Sequence, residues 1–488
     1  MGKSLVKNSI YNILYKVITA LYPLIAVTYV SHILLSDKMG MVSYAQNIVS
    51  YFAVFAALGI PTYGIREIAI KAEDRGGRSQ IFWELFTINF ISTTISLVAY
   101  GILILSVDKF IENLLLYEIA GLQILFNYIN VDWFYQGMEE YKYISIRSII
   151  VKIIAIISLP LAIRSQDDYL WYAVIYSLAI GGNNVFNIFR IKKYICKPKK
   201  KIHIIKHLKS IGILLMVSVA VEIYAMIDTT MLGIFCDDRT VGCYSNAMKL
   251  IRMVNTMAAA IGAVLFPRLS VIFSNSDRKQ FNELVNKGLK IMLVIAFPAS
   301  VGMIMCSSSI VRVFFGDSFI AAIPILKILA LMIPVVVCNT LMGGQVLVTT
   351  KQENKYVITV VIASVVNVIL NAIFIPKFGA VSAAIASLIS EVIDIVLYWW
   401  FSRKFVNIKI SIHFILSIFT PLLLYVIISK KVITLLPLGT FTSLITNIVV
   451  CIVLYFFIGY FMHNESIIFV KKKFEDILLK NKIHKSKK

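Results

Sequence analysis

The chain has 488 residues, 59% of them hydrophobic and 15% charged, with a mean hydropathy of +0.83. A water-soluble domain is nearer half apolar and a quarter charged, so the composition argues against a soluble enzyme and asks for surface that faces lipid. The net charge of +22 would point to nucleic acid on a soluble protein, but its placement along the chain says otherwise, and six cysteines are too few for a disulfide scaffold.

A helix needs about 20 mostly apolar residues to cross hydrocarbon, where each backbone N–H and C=O must be satisfied within the helix. About fourteen stretches qualify, and they predict an all-α integral membrane protein. The first six are 9–31, 41–63, 81–106, 114–136, 148–164 and 169–189. Lys3 and Lys7 open the first like a signal peptide, but the run is full length and no small-residue cleavage site follows, so it reads as a spanning helix. A basic connector, Arg190 to Lys209, separates these from eight more at 210–235, 241–267, 289–308, 321–348, 356–375, 379–401, 410–429 and 440–462. With the N-terminus inside, and with Arg164 and Lys290 at span edges counted with their adjoining loops, 35 of the 48 Lys and Arg fall in cytoplasmic segments, eight in outer loops and five within helices. That bias makes both termini cytoplasmic, and the positive charge is mainly topology. The tail from Lys471 to Lys488 is either a basic segment lying on the anionic leaflet or a solvated end.

The two halves echo each other. Gly40-Met-Val-Ser43-Tyr-Ala45 recurs as Gly242-Cys-Tyr-Ser245-Asn-Ala247, and Asp74-Arg75 followed by Phe82-Trp-Glu84-Leu85 recurs as Asp277-Arg278 followed by Phe281-Asn-Glu283-Leu284. Six helices separate equivalent points, so both copies enter the membrane in the same sense, as in a two-lobed transporter with its substrate between the lobes. The expected division is 1–200 and 201–405 as six-helix lobes, with 406–488 carrying the last two helices and the tail.

Nucleotide-binding and zinc-protease motifs are absent, the six histidines have no metal spacing, and adjacent Glu139 and Glu140 would point different ways on a helix, so no enzyme is expected. The informative residues are ionisable ones placed in lipid, which normally face a partner or a wet cavity. Lys249 and Arg252 are three apart on one face of helix eight; Lys16 and Lys152 lie in helices one and five, Lys152 close enough to the interface to snorkel instead. Together they suggest a cationic cavity for a phosphate-bearing or otherwise anionic substrate. Against them stand Glu222, a candidate partner of Arg252, with Asp228, Glu391 and Asp394, which either neutralise basic residues or host a coupling cation or proton. Asn367 and Asn371 either bond between helices or line the cavity.

Trp133-Phe134-Tyr135-Gln136-Gly137-Met138-Glu139, running on to Ile144, resembles the W-F-x-Q-G-x-E-x-x-x-x-I segment of Wzx-type polysaccharide repeat-unit flippases. Lys7-Asn8 with Leu14, the segment at Gly40, and Gly59-Ile60-Pro61-x-Tyr63-Gly64-x-Arg66-Glu67 are similar to that family as well. The resemblance implies the multidrug/oligosaccharidyl-lipid/polysaccharide exporter fold, with two six-helix lobes and two further helices. It implies export of an undecaprenyl-diphosphate-linked oligosaccharide across the bacterial cytoplasmic membrane by alternating access, for capsule, exopolysaccharide or O-antigen. A polysaccharide polymerase and chain-length machinery are the implied partners; no nucleic acid and no cofactor is expected, and coupling to H+ or Na+ stays open. Arg66 could receive the incoming pyrophosphate or pair with Glu67. A cation-coupled drug or metabolite antiporter and a lipid II-type flippase are the rival readings of the same fold.

Overall fold

The computed structural model describes residues 5–198, 200–431 and 437–468; for residues 5–17, 20, 217, 220, 221 and 257–264 it describes the helix but not the side chains. Lys16 and the basic tail from Lys471 therefore lie outside the described side chains and residues, respectively.

Among the described residues the regular structure is helical throughout. In chain order it comprises α1 (Leu5–Ala57), α2 (Ile60–Ile70), α3 (Arg75–Ser106), α4 (Asp108–Ile111), α5 (Leu114–Asn127), α6 (Asp132–Gly137), α7 (Tyr141–Ala162), α8 (Tyr169–Gly181) and α9 (Val185–Ile191). Then follow α10 (Ile205–Phe235), α11 (Asp238–Ser274), α12 (Arg278–Phe314), α13 (Ala322–Ala330), α14 (Met332–Asn339) running into a π-helical stretch at Thr340–Leu347, α15 (Glu353–Ser402), α16 (Ile412–Lys431) and α17 (Thr440–Phe461). Helices overlap all fourteen predicted stretches, and nine segments among the described residues are long and apolar enough to cross a membrane. Two of those, Leu21–Ile70 and Glu353–Ser402, are 50 residues long. Each contains a break with left-handed backbone, at Leu35 (φ 57°), between two predicted spans, and at Gly379 (φ 58°), the first residue of the span predicted at 379–401. Glycine takes that conformation without the Cβ clash that leucine must absorb.

Several helices are longer than hydropathy predicts. The ninth predicted span starts, as α12, at Arg278 rather than 289, because Asp277 caps it by accepting from the Gln280 N–H at 2.9 Å and its polar first turns carry no apolar signal. Asp74 does the same for α3, accepting from Gly77 at 2.9 Å. The repeated Asp-Arg pair is thus a repeated helix start.

The fourth predicted span is not one helix. α5 stops at Asn127 and the chain turns through Asn130 before α6. Asn187 donates to the Ile129 carbonyl at 3.3 Å, so an oxygen in the turn after α5 finds a partner, and Asn184 adds a contact to the Phe126 carbonyl at 3.5 Å. Glu139 and Glu140 consequently lie in the turn after α6, with Glu139 at φ 55°, and not on a helix.

The chain forms two compact units, Met1–Ser245 and Asn246–Lys488. In the first, α1 packs on α3, α5, α7 and α10. Asn47 and Tyr51 of α1 bond Thr230 of α10 at 2.6 and 2.7 Å. The repeat glycines meet here: a Cβ built on Gly40 would stand 3.0 Å from the Gly242 nitrogen, and one on Gly242 would stand 3.1 Å from the Gly40 nitrogen. In the second, α12 packs on α13, α14, α16 and α17, and α15 on α13 and α14.

Candidate functional site

The two motif segments of the first unit are built against each other. A Cβ at Gly64 of α2 would lie 2.5 Å from Trp133 Cε3, and one at Gly137 would lie 2.9 Å from the Ile65 carbonyl oxygen, so only glycine lets α2 and α6 approach this closely. Trp133 is buried and stacks with Phe82 at 5.9 Å, Gln136 is half-buried, and Glu139 is exposed. Gly64, Trp133 and Gly137 therefore shape the fold at this end of the unit. Arg66 points outward with 60% of its side chain exposed, pairs with Glu67 at 3.3 Å, and lies 5.2 Å from the centre of the Tyr63 ring.

Sequence reasoning passed over Asp132 and Arg147. Arg147 is buried and grips both oxygens of Asp132, at 2.7 and 2.8 Å, while Asn187 donates to the same carboxylate at 3.0 Å and accepts from Arg147. Both bonds leave from Arg147 Nη2 while Nη1 reaches Asn187, so one buried guanidinium ties the carboxylate and the amide together by charge-assisted hydrogen bonds.

It also passed over the clasp that holds the basic connector. Glu84 of α3, fully buried, accepts from His207 Nε2 and Lys206 Nζ at 2.9 and 2.8 Å, from Gln80 at 2.9 Å and from the His203 backbone at 3.2 Å. Tyr63 of α2 closes the chain with a 2.8 Å hydroxyl contact to His207 Nδ1. Upstream, Arg78 donates to the Tyr194 carbonyl and Trp83 to that of Cys196, at 3.1 and 3.0 Å. The one sequence signal was Glu84 itself, a carboxylate inside the repeated motif of an apolar helix.

Lys152 does not snorkel. It is 7% exposed, and its ammonium donates to Thr19 Oγ1 of α1 at 2.7 Å and to Ser148 Oγ at 3.0 Å. Thr19 stands three residues beyond Lys16 on the same helix. In the first unit Asp228 is buried and accepts the Tyr244 hydroxyl at 2.5 Å, and Glu222 is half-buried on α10.

In the second unit Lys249 is half-buried and donates to Asn246 Oδ1 at 3.2 Å, with exposed Arg252 three residues on. Asn339, at the end of α14, donates to Glu391 Oε2 at 2.7 Å and to the Glu391 carbonyl at 2.9 Å. Asp394, on the same face of α15 as Glu391, is buried, and its Oδ1 has no hydrogen-bond partner among the described residues. The fold places Glu391, Asp394 and Asn339 together and keeps Lys249 beside Arg252. Asn371 donates to Asn367 Oδ1 within its own helix at 3.0 Å.

A family model described as "Polysaccharide biosynthesis protein" matches residues 5–273, and a second, MatE, matches residues 214–373. The chain is similar to a protein of Haloferax volcanii named as a low-salt glycan biosynthesis flippase, 28% identical over 164 residues, which are 34% of each chain. It is also similar to a protein of Escherichia coli K12 named as an O-antigen transporter, 21% identical over 388 residues, 79% of this chain and 93% of that protein. The match thus spans about a third of the archaeal relative and nearly all of the bacterial one. Among solved structures, the lipid II flippase MurJ in an inward closed conformation superposes with a TM-score of 0.75 at 20% identity, over 95% of this chain and 100% of that one. At that identity the likeness is one of fold.

Proposed function

We infer, from the premise that this chain belongs to the polysaccharide biosynthesis protein family, that it is a multi-pass membrane flippase for undecaprenyl-diphosphate-linked oligosaccharide repeat units. On this reading residues 1–200 and 201–405 are the two lobes, 406–488 add the last helices and tail, and both termini face the cytoplasm, where most Lys and Arg are placed. Capsule, exopolysaccharide or O-antigen synthesis would use the product, with a polymerase and chain-length machinery downstream.

A sugar-diphosphate head cannot enter hydrocarbon unaided, whereas its prenyl tail can stay there while the head crosses in a polar cavity. The observation that carries the substrate class is Lys249, half-buried and donating to the neutral amide of Asn246, one turn before Arg252. A cation withdrawn from bulk water and solvated by a neutral group favours a phosphate that arrives. Lys16 and Lys152 are assigned the same role in the first lobe, and Arg66 that of receiving the diphosphate at the cytoplasmic mouth. Coupling to H+ or Na+ is assigned to Asp394 with Glu391, supported by the buried carboxylate oxygen of Asp394 that lacks a hydrogen-bond partner among the described residues. Glu222 and Asp228 are assigned to charge balance.

The test is complementation of a flippase-null strain. Lys249→Ala with Arg252→Ala, and Lys16→Ala, should accumulate lipid-linked glycan on the inner leaflet, while Asp394→Asn should lose dependence on the ion gradient. Full glycan export by the Lys249–Arg252 double variant would remove the anionic-substrate assignment and favour a drug or metabolite antiporter.

A further inference from the structure

Between α7 and α9 the first unit has an open groove of about 680 Å³, apart from every residue assigned above to transport. Its floor is apolar: Ile146 and Ile150 lie four apart on α7, Phe186 and Phe189 three apart on α9, all four exposed and Phe189 by 75%. Its mouth is basic, formed by Lys142 and Arg190 with Glu140. Eight residues separate Lys142 from Ile150, which on a helix is about 12 Å of depth below the charged rim.

The charges at the mouth are held unequally. Arg147, at the groove wall, is already committed to Asp132 and Asn187. Arg190 lies 4.2 Å over the Tyr143 ring, and its described side-chain hydrogen bonds, to Glu140 at 3.1 Å and the Tyr194 hydroxyl at 3.2 Å, both leave from Nη2. A guanidinium pinned by stacking and one nitrogen loses little further freedom when its other donors meet a phosphate. Lys142 is exposed and adds a second cation, so the mouth keeps a net positive charge after Glu140 is counted. A basic rim above a slot of exposed isoleucine and phenylalanine matches the phosphate and upper chains of a lipid in the same leaflet.

We propose that this groove binds the phosphate headgroup and first methylenes of an anionic membrane phospholipid. Both walls belong to one compact unit.

The test uses the full-length protein in detergent, titrated with phosphatidylglycerol, phosphatidylcholine or inorganic phosphate, with bound lipid counted by native mass spectrometry. The wild type should retain phosphatidylglycerol in preference to phosphatidylcholine, and inorganic phosphate should not displace it. Lys142→Gln and Arg190→Gln should each weaken phosphatidylglycerol retention by about tenfold, the scale of one charge-assisted hydrogen bond. Phe189→Ala should weaken retention of both lipids. Because Arg190→Gln also breaks the Arg190–Glu140 ion pair, the exposed Lys142→Gln and Phe189→Ala variants decide the matter. Unchanged phosphatidylglycerol retention in both overturns the proposal, and so does full competition by inorganic phosphate, which would mean a bare anion site. Glycan export is read separately, so neither result bears on the flippase assignment.

Discussion

Replacing Gly40 by Ala asks for space that another backbone occupies. In an open helix interior the change would gain up to about 1 kcal/mol from helix propensity. Here the new Cβ would stand 1.7 Å from the Asp238 carbonyl oxygen, so reaching an ordinary 3.4 Å contact requires the two helices to part by about 1.7 Å. No side chain can rotate away, because the obstructing atom is main chain. Overpacking of this kind costs roughly 1–3 kcal/mol, which outweighs the propensity gain. Gly242→Ala faces the Ser36 carbonyl oxygen at 2.2 Å and needs a smaller shift. Gly101, on α3, supplies the control, since a Cβ there meets nothing within 4 Å. Thermal unfolding of the purified full-length protein, followed by tryptophan fluorescence, should therefore rank Gly101→Ala at or above wild type, then Gly242→Ala, then Gly40→Ala. A Gly40→Ala midpoint equal to that of Gly101→Ala would refute the close approach of the two repeat glycines.

Asp132→Ala should lower stability by about 3–5 kcal/mol by leaving Arg147 buried without its carboxylate, whereas Asp132→Asn keeps an acceptor and should lose less; equal unfolding midpoints for wild type and Asp132→Ala would contradict this. The Gly77 backbone N–H holds the Asp74 carboxyl below the usual carboxylate range, so its contribution is complete above a pKa of about 3.9 and is lost as pH falls through the lowered value. Asp74→Asn should accordingly flatten the acid side of the stability profile between about pH 5 and pH 3, and an unchanged slope would remove the cap from the account. Glu84→Gln should loosen the connector and speed tryptic cleavage at Lys200 and Lys201, and a rate equal to wild type would show that the clasp holds nothing.

What the sequence reveals here follows from which forces are local. Apolar runs set the helices, because burial against lipid acts residue by residue along the chain. The Asp-Arg repeat is legible for the same reason: a cap is a contact three residues long, and Asp74 and Asp277 both make it. Hydropathy does not report helix ends in water, which is why α12 starts eleven residues before its predicted span. It could not find the break after Asn127 either, since the partners that stabilise it, Asn184 and Asn187, lie about 58 residues away. Lys152 and Glu84 make the same point for the polar groups. Each is a charge set in an apolar helix, visible in the sequence as an anomaly, but one is resolved by Thr19 on α1 and the other by His207 and Lys206 of α10. Burial of a charge is thus readable as a question about the fold, and its answer is a tertiary contact that only the folded chain supplies.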